Sequence, residues 1–327
     1  MANWQTILGH QSIKKDLQIL LTEDKLPHAL LFSGKKGIGK YLTARVLAKA
    51  LLCNHVVPCD NCTSCHLFDE QNHPDYYDLK PDGKTLKMIK IEQIRQMQAG
   101  ISLAPYLSNK RVVVIDDAEL MNETAANSLL KTLEEPVGQV FFILVTSNKD
   151  MLLSTILSRC MKIYFSPLAD DEVLQVLQQQ QSIPEDKARV IAKLSGGSVS
   201  TALEFVDTDT LNLRNLAVEF LTMNFTAEQI WSFSDKLGSL DKPKALLWAN
   251  YLLMLIRDLL LVKANADKAL LYNSDISDDL YQLAQNVSTE NLFAKINLSE
   301  QLAQRLNSNA DLKLMIQNFI LDWRKLI

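Results

Sequence analysis

The sequence predicts an α/β amino-terminal part followed by an all-α remainder, and three observations carry that expectation. Short β-rich apolar runs alternate with helical patterns up to about residue 167. A glycine-rich turn, FSGKKGIGKYLTAR, joins the first of those runs to a helix. Nine of the ten glycines lie at or before Gly197 and only Gly238 follows, while the last third is rich in Leu, Ala, Gln and Lys at helical spacing.

The 327 residues exceed what one hydrophobic core usually serves, so two or three domains are expected. With 47% hydrophobic and 22% charged residues, the composition is that of an ordinary globular protein, without low-complexity stretches or an internal repeat. The net charge of −4 argues against a surface built to attract nucleic acid non-specifically. MANWQTILGHQSIKKDL lacks a basic segment followed by an apolar run, which predicts no secretory signal and a cytoplasmic location.

Taken in order, the first strand is expected at Leu30 to Phe32, followed by the loop and the helical run YLTARVLAKALL. Val112 to Ile115 and Val140 to Val145 are the next β-rich runs, each followed by a helical pattern. Strands separated by helices imply a parallel sheet covered on both faces. From Cys160, CMKIYF alternates and places Met161, Ile163 and Phe165 on one side, until Pro167 closes the strand. Asp170 to Gln181, Pro184 to Leu194 and Ser198 to Val206 read as three short helices, broken at Gly196-Gly197. After about Asp207 a second helical unit begins, with a capping-box signal at Thr226 and Gln229. The domains are therefore expected at 1–167, 168–207 and 208–327. Ala245 to Val262 is the stretch most like a membrane span, but Asn250, Arg257 and Asp258 interrupt it, so a helix buried on most faces is expected.

Gly34, Gly39 and Lys40 match the phosphate-loop pattern G-x-x-x-x-G-K-S/T at every place except the last, where Tyr41 stands. Gly37 adds a further flexible position inside the loop. Backbone N–H groups there can surround an anion at a helix amino terminus, and Lys40 can neutralise phosphate charge. The tyrosine oxygen sits at the end of a rigid ring, too far out for the Mg²⁺ position of Ser or Thr. In RVVVIDDAELM, Asp116 ends a strand as the acid that acts through Mg²⁺ does, and Asp117 stands where a longer Glu would activate water. Phosphate-loop ancestry is expected, whereas present ATP binding stays open, as does a plain pair of acids capping a strand.

Cys53, Cys59, Cys62 and Cys65 form C-x5-C-x2-C-x2-C, a module of about residues 53–65. Clustered thiols in a cytoplasmic chain point to a metal, and two C-x2-C steps fit a closed, structural four-cysteine site for Zn²⁺. An iron–sulfur cluster and substitution by His55 or His66 are the competing readings. Cys160 is expected to pack rather than ligate, and His10 and His28 are assigned no chemistry.

ILGHQ, PHALLFSGKKGIGK, the cysteine group, IDDAELM, NSLLKTLEEP, TSN with Asn148, the Ser158-Arg159-Cys160 triplet and GGSVSTAL occur in this order. With them the chain resembles, over essentially its whole length, the AAA+ clamp-loader subunits of bacterial DNA polymerase III. The resemblance implies an AAA+ phosphate-loop domain with an inserted zinc module, a three-helix lid and a helical collar that helps form a ring. It implies that Arg159 is an arginine finger, inserted in trans into a neighbour's ATP site. Active members carry a sensor arginine early in the last lid helix, where this chain has Ser200 and Thr201. Together with Tyr41 and Asp117, that departure predicts a non-catalytic stator, without polymerase or ATPase activity of its own. The alternative is an ATP-hydrolysing motor subunit; a zinc-dependent DNA binder is disfavoured by the acidic charge. The implied partners are the tau or gamma and delta subunits and, through the complex, the sliding clamp and primed DNA.

Overall fold

The computed structural model describes residues 3–53, 55, 57–83, 87–180, 183–206, 208–306 and 311–326. The chain forms two compact units, residues 1–172 with 197–200, and residues 173–196 with 201–327. Gln181 and Asp207, named above as an element end and a boundary, lie outside the described residues.

In the first unit, five strands form one parallel sheet: β1 (Ala29–Ser33), β2 (Tyr76–Leu79), β3 (Arg111–Ile115), β4 (Val140–Thr146) and β5 (Met161–Tyr164), in the order β2-β3-β4-β1-β5. The helices are α1 (Gln11–Thr22), α2 (Lys40–Leu52), α3 (Thr63–Asp69), α4 (Ile91–Ile101), α5 (Glu123–Glu134) and α6 (Ser154–Leu157). Strand periodicity divides the core in two. Leu30, Phe32, Val112, Val114, Ile143 and Val145 pack with Val46, Leu47, Leu51 and Phe68 of α2 and α3. Leu31, Val113, Ile115, Phe142 and Leu144 face the other way, onto Ile94, Met97, Leu129 and Ile156 of α4, α5 and α6. β1 and β3 are buried along their whole length, as apolar runs in a parallel sheet must be. Each such Leu, Ile, Val or Phe contributes about 1.5–3 kcal/mol on burial.

β2 has no counterpart among the expected strands. YYDL is short, half polar and lies at the sheet edge, so neither alternation nor an apolar run marks it. β5 also lies at an edge. Phe165 just beyond it is buried and Ile163 half-buried, but Met161, expected on the same covered side, is 41% exposed.

The loop between α4 and β3 is held from within. Asp75 accepts backbone N–H bonds from Tyr106, Leu107 and Ser108 at 2.8–2.9 Å, while Arg111 donates to Ile101 O and Leu103 O. The Arg111 bonds satisfy the carbonyls of Ile101, the last residue of α4, and of Leu103 beyond it, while the three N–H donors hold the Asp75 carboxyl below its usual range against the opposing effect of burial.

The remaining helices are α7 (Asp170–Gln180), α8 (Glu185–Leu194), α9 (Val199–Val206), α10 (Thr208–Leu221), α11 (Ala227–Gly238), α12 (Lys242–Lys263), α13 (Ser277–Gln285), α14 (Thr289–Leu306) and α15 (Leu312–Arg324). Thr226 caps α11 in a box with Gln229, as its sequence signal predicts. α12 is long and apolar enough to cross a membrane by length and composition. In this unit it is packed instead on α10, α13 and α14. Phe220 of α10 collects the rings of Phe225, Phe233, Trp248, Phe319 and Trp323 at centroid distances of 5.0–5.8 Å. Asp258, fully buried on α12, accepts the N–H groups of Tyr272 and Asn273 and the Asn273 amide, and pairs with Arg257. The charge inside the helix is therefore a tie for the loop that follows it.

Candidate functional site

The phosphate loop has the backbone its glycines predict. Gly39 caps α2 at φ 97°, with open space around the position of a Cβ, so conformation alone requires glycine there. Gly37, at φ 76°, is also crowded: a Cβ would lie 1.8 Å from Ser200 Oγ. Ser198 Oγ donates to Lys36 O at 2.9 Å and Val199 N–H to Gly37 O at 2.8 Å, fastening the loop to the Gly197–Ser200 segment of the same unit.

Lys40 turns into its own loop. Its ammonium donates to Gly34 O (2.7 Å), Lys35 O (2.6 Å) and Ser147 Oγ (3.3 Å), and only 4% of the residue is exposed. Burial lowers its pKa, opposed by the charges of Glu119, Asp116 and Asp117. Tyr41 reaches toward β2. Its hydroxyl donates to Asp78 Oδ2 of β2 at 2.6 Å, and Lys80 Nζ lies 4.3 Å from the ring centroid. Burial and the Asp78 acceptor push the phenol pKa up, so it stays a neutral donor.

Asp116 follows β3, with its carboxylate accepting the Asp117 N–H at 3.1 Å. Burial, then the Asp117 charge, push its pKa up to about 6. A raised carboxylate pKa means that the folded state binds the proton more tightly than the unfolded chain. Stability therefore falls as pH rises from about 4 through about 6. Asp116→Asn removes that penalty. The variant is expected to be more stable than the parent at pH 7.5 by about 1–2 kcal/mol, after discounting for solvent screening, and to match it at pH 4. Urea midpoints at the two pH values check this.

Glu119, not singled out by sequence, accepts the Ser147 N–H at 2.8 Å and is the main charge facing Lys40. Asn148 spends its side-chain oxygen on the Asp150 N–H at 3.2 Å. Ser33, Gly34, Lys35, Ser147, Asn148 and Tyr164 line a cleft of about 300 Å³ at the carboxyl ends of β1, β4 and β5. Arg159 lies just after α6. One of its guanidinium nitrogens donates to Thr155 O at 2.8 Å, and another pairs with the Glu134 carboxylate at the end of α5. Thr201 lies in the first turn of α9.

The four cysteines converge. The Sγ atoms of Cys53, Cys59, Cys62 and Cys65 all lie within 4.8 Å of one another, with Cys53 3.6 Å from Cys59 and 3.8 Å from Cys62. A tetrahedral zinc with bonds of about 2.3 Å requires sulfur separations of about 3.8 Å, so the donor set fits. Among the described residues no histidine belongs to the group. The N–H of Asn61 leads in pushing the Cys59 thiol down to about 6, while burial pushes Cys53 and Cys65 up. Cys62 Sγ accepts the Cys65 N–H and so caps α3. Sequence reasoning missed the anchor of this knuckle. Lys49, fully buried on α2, reaches Asp60 at 2.5 Å and Asp69 at 2.8 Å. Cys160 is buried among the apolar residues of the α4–α6 face.

A family model described as "DNA polymerase III, delta subunit" matches residues 9–169, and one described as "DNA polymerase III, delta subunit, C terminal" matches 208–325. DNA polymerase III subunit delta' of Bacillus subtilis is 30% identical over 320 residues, 94% of each chain. Its Escherichia coli counterpart is 29% identical over 90% of each chain. A solved gamma subunit-related protein from Thermotoga maritima aligns over 95% of this chain and 99% of its own, at 14% identity and a TM-score of 0.48.

The parallel sheet, the glycine-rich loop after β1 and the acid after β3 define a phosphate-loop type of α/β domain, here carrying a cysteine knuckle. The chain belongs to the delta' family of DNA polymerase III subunits.

Proposed function

We propose that this subunit is the stationary member of a ring-shaped clamp loader, and that it lends Arg159 in trans to the ATP site of an adjacent tau- or gamma-type subunit while turning over no ATP itself. The observation that carries the reading is the Tyr41 hydroxyl held by Asp78 at 2.6 Å, in the loop place where a Mg²⁺ ligand is needed. Lys40 bonded to its own loop carbonyls supports it, since an ammonium so used must be released before it can meet a phosphate. Asp117, Ser200 and Thr201 stand where water activation and a sensor arginine would be needed, and all are poorly suited.

In this proposal the four cysteines hold a structural Zn²⁺, residues 168–207 serve as the lid and 208–327 as the collar. The partners are the tau or gamma and delta subunits, with the sliding clamp and primed DNA engaged through the assembly in the cytoplasm.

The isolated chain is expected to show no MgATP turnover above background, with Lys40→Ala making no difference. Turnover that disappears in Lys40→Ala would sink the stator reading. It would support the alternative of a motor subunit, which the retention of Lys40 and Asp116 favours.

A further inference from the structure

Glu134 is placed poorly for helix stability. It is the last residue of α5 and is followed by Glu135, at the helix end whose partial negative charge disfavours acids. Its carboxylate instead meets the Arg159 guanidinium, which a separate donor ties to Thr155 O. The side chains are 47% and 31% exposed, so the pair faces solvent and lies within reach of an incoming group.

We propose that Glu134 is a positioning residue for Arg159 and acts as its exchangeable counter-ion. It holds the guanidinium while no neighbouring triphosphate is present and gives it up when one arrives. This rests on the reading of Arg159 as a finger acting in trans.

The exchange follows from the chemistry of the fork. A guanidinium pairs with a carboxylate or with phosphate oxygens through the same planar donors, and phosphates carry the greater charge. A buried pair would resist exchange, because one charge would be left desolvated. A half-exposed pair yields its carboxylate to water at small cost. The Thr155 carbonyl uses a different nitrogen, so the arginine stem stays anchored in both states. The consequence is a brake: in the idle ring, engagement of the neighbour's nucleotide competes with Glu134.

The test uses the assembled clamp loader carrying the parent chain, Glu134→Gln, Arg159→Ala or the double variant. MgATP turnover is measured without DNA at low and at raised ionic strength. Glu134→Gln is expected to unfold at the parental temperature and to raise turnover about 1.5- to 5-fold, the range that exposed ion pairs support. The gain should shrink as salt screens the pair in the parent. The double variant should match Arg159→Ala alone. Unchanged or lowered turnover in Glu134→Gln, with Arg159→Ala still defective, overturns the counter-ion role and leaves the finger standing. Parental turnover in Arg159→Ala removes the finger itself, and the counter-ion proposal with it.

Discussion

Replacing Arg159 by alanine is expected to slow hydrolysis at the neighbouring subunit's ATP site by about 10³- to 10⁵-fold, the range over which such fingers act in phosphoryl transfer. The size of the effect comes from charge. In the transition state, negative charge spreads over the γ-phosphoryl oxygens, and a guanidinium fixed beside them stabilises it in a site from which water is excluded. Folding and assembly should be untouched, because the variant loses only a half-exposed pair with Glu134 and a bond to one carbonyl. Arg159→Lys should recover little, since an ammonium is a point charge without the planar fork. Steady-state ATPase of the reconstituted loader, with primed DNA and clamp present, is the measurement. Turnover equal to that of the parent ring would end the trans role.

Loss of the zinc proposed for the cysteine knuckle carries the second large expected effect. About one equivalent of zinc per chain is expected in reduced protein, measured by metal analysis. In small zinc modules the metal contributes about 10–16 kcal/mol at neutral pH, and that binding energy is folding energy. The Lys49 pairs to Asp60 and Asp69 and the burial of Phe68 do not use the metal, so the loss here is expected to be smaller. Chelation or Cys59→Ser is expected to lower the unfolding temperature by about 10 °C or more, each kcal/mol being worth about 2–4 °C in domains of 150–250 residues. Affinity should fall on acidification, because each thiol must lose a proton to ligate. Absence of zinc from protein kept reduced throughout would reject the site.

The two sites were legible to different depths. The cysteine spacing announced a four-thiol group, and the sulfur atoms do converge, because C-x2-C steps confine ligands to one turn of chain. Its anchor was not legible. Lys49 reads as one more polar residue in a helical run, and nothing in the run itself says that it is fully buried against acids 11 and 20 residues away. The loop glycines likewise announced a phosphate loop after a strand, but the inward turn of Lys40 depends partly on Ser147, 107 residues on.

The same division runs through the fold. Central strands bury both faces and leave continuous apolar runs, so β1, β3 and β4 stood out in the sequence, whereas edge strand β2 did not. With β2 missed, Asp78 had no assigned neighbour, and the bond that occupies Tyr41 could not be foreseen.

What the amino-acid order alone determined is the local material: the loop spacing, the thiol spacing, the apolar strands and the helical remainder. Such features arise within a few residues, where backbone geometry and side-chain periodicity act directly. Which partners Lys40, Tyr41, Lys49 and Arg159 would find was decided only by the tertiary structure. Apart from the loop carbonyls that take the Lys40 ammonium and the Thr155 carbonyl that takes Arg159, their bonds join segments that only the folded chain brings together, and no short-range pattern records that meeting.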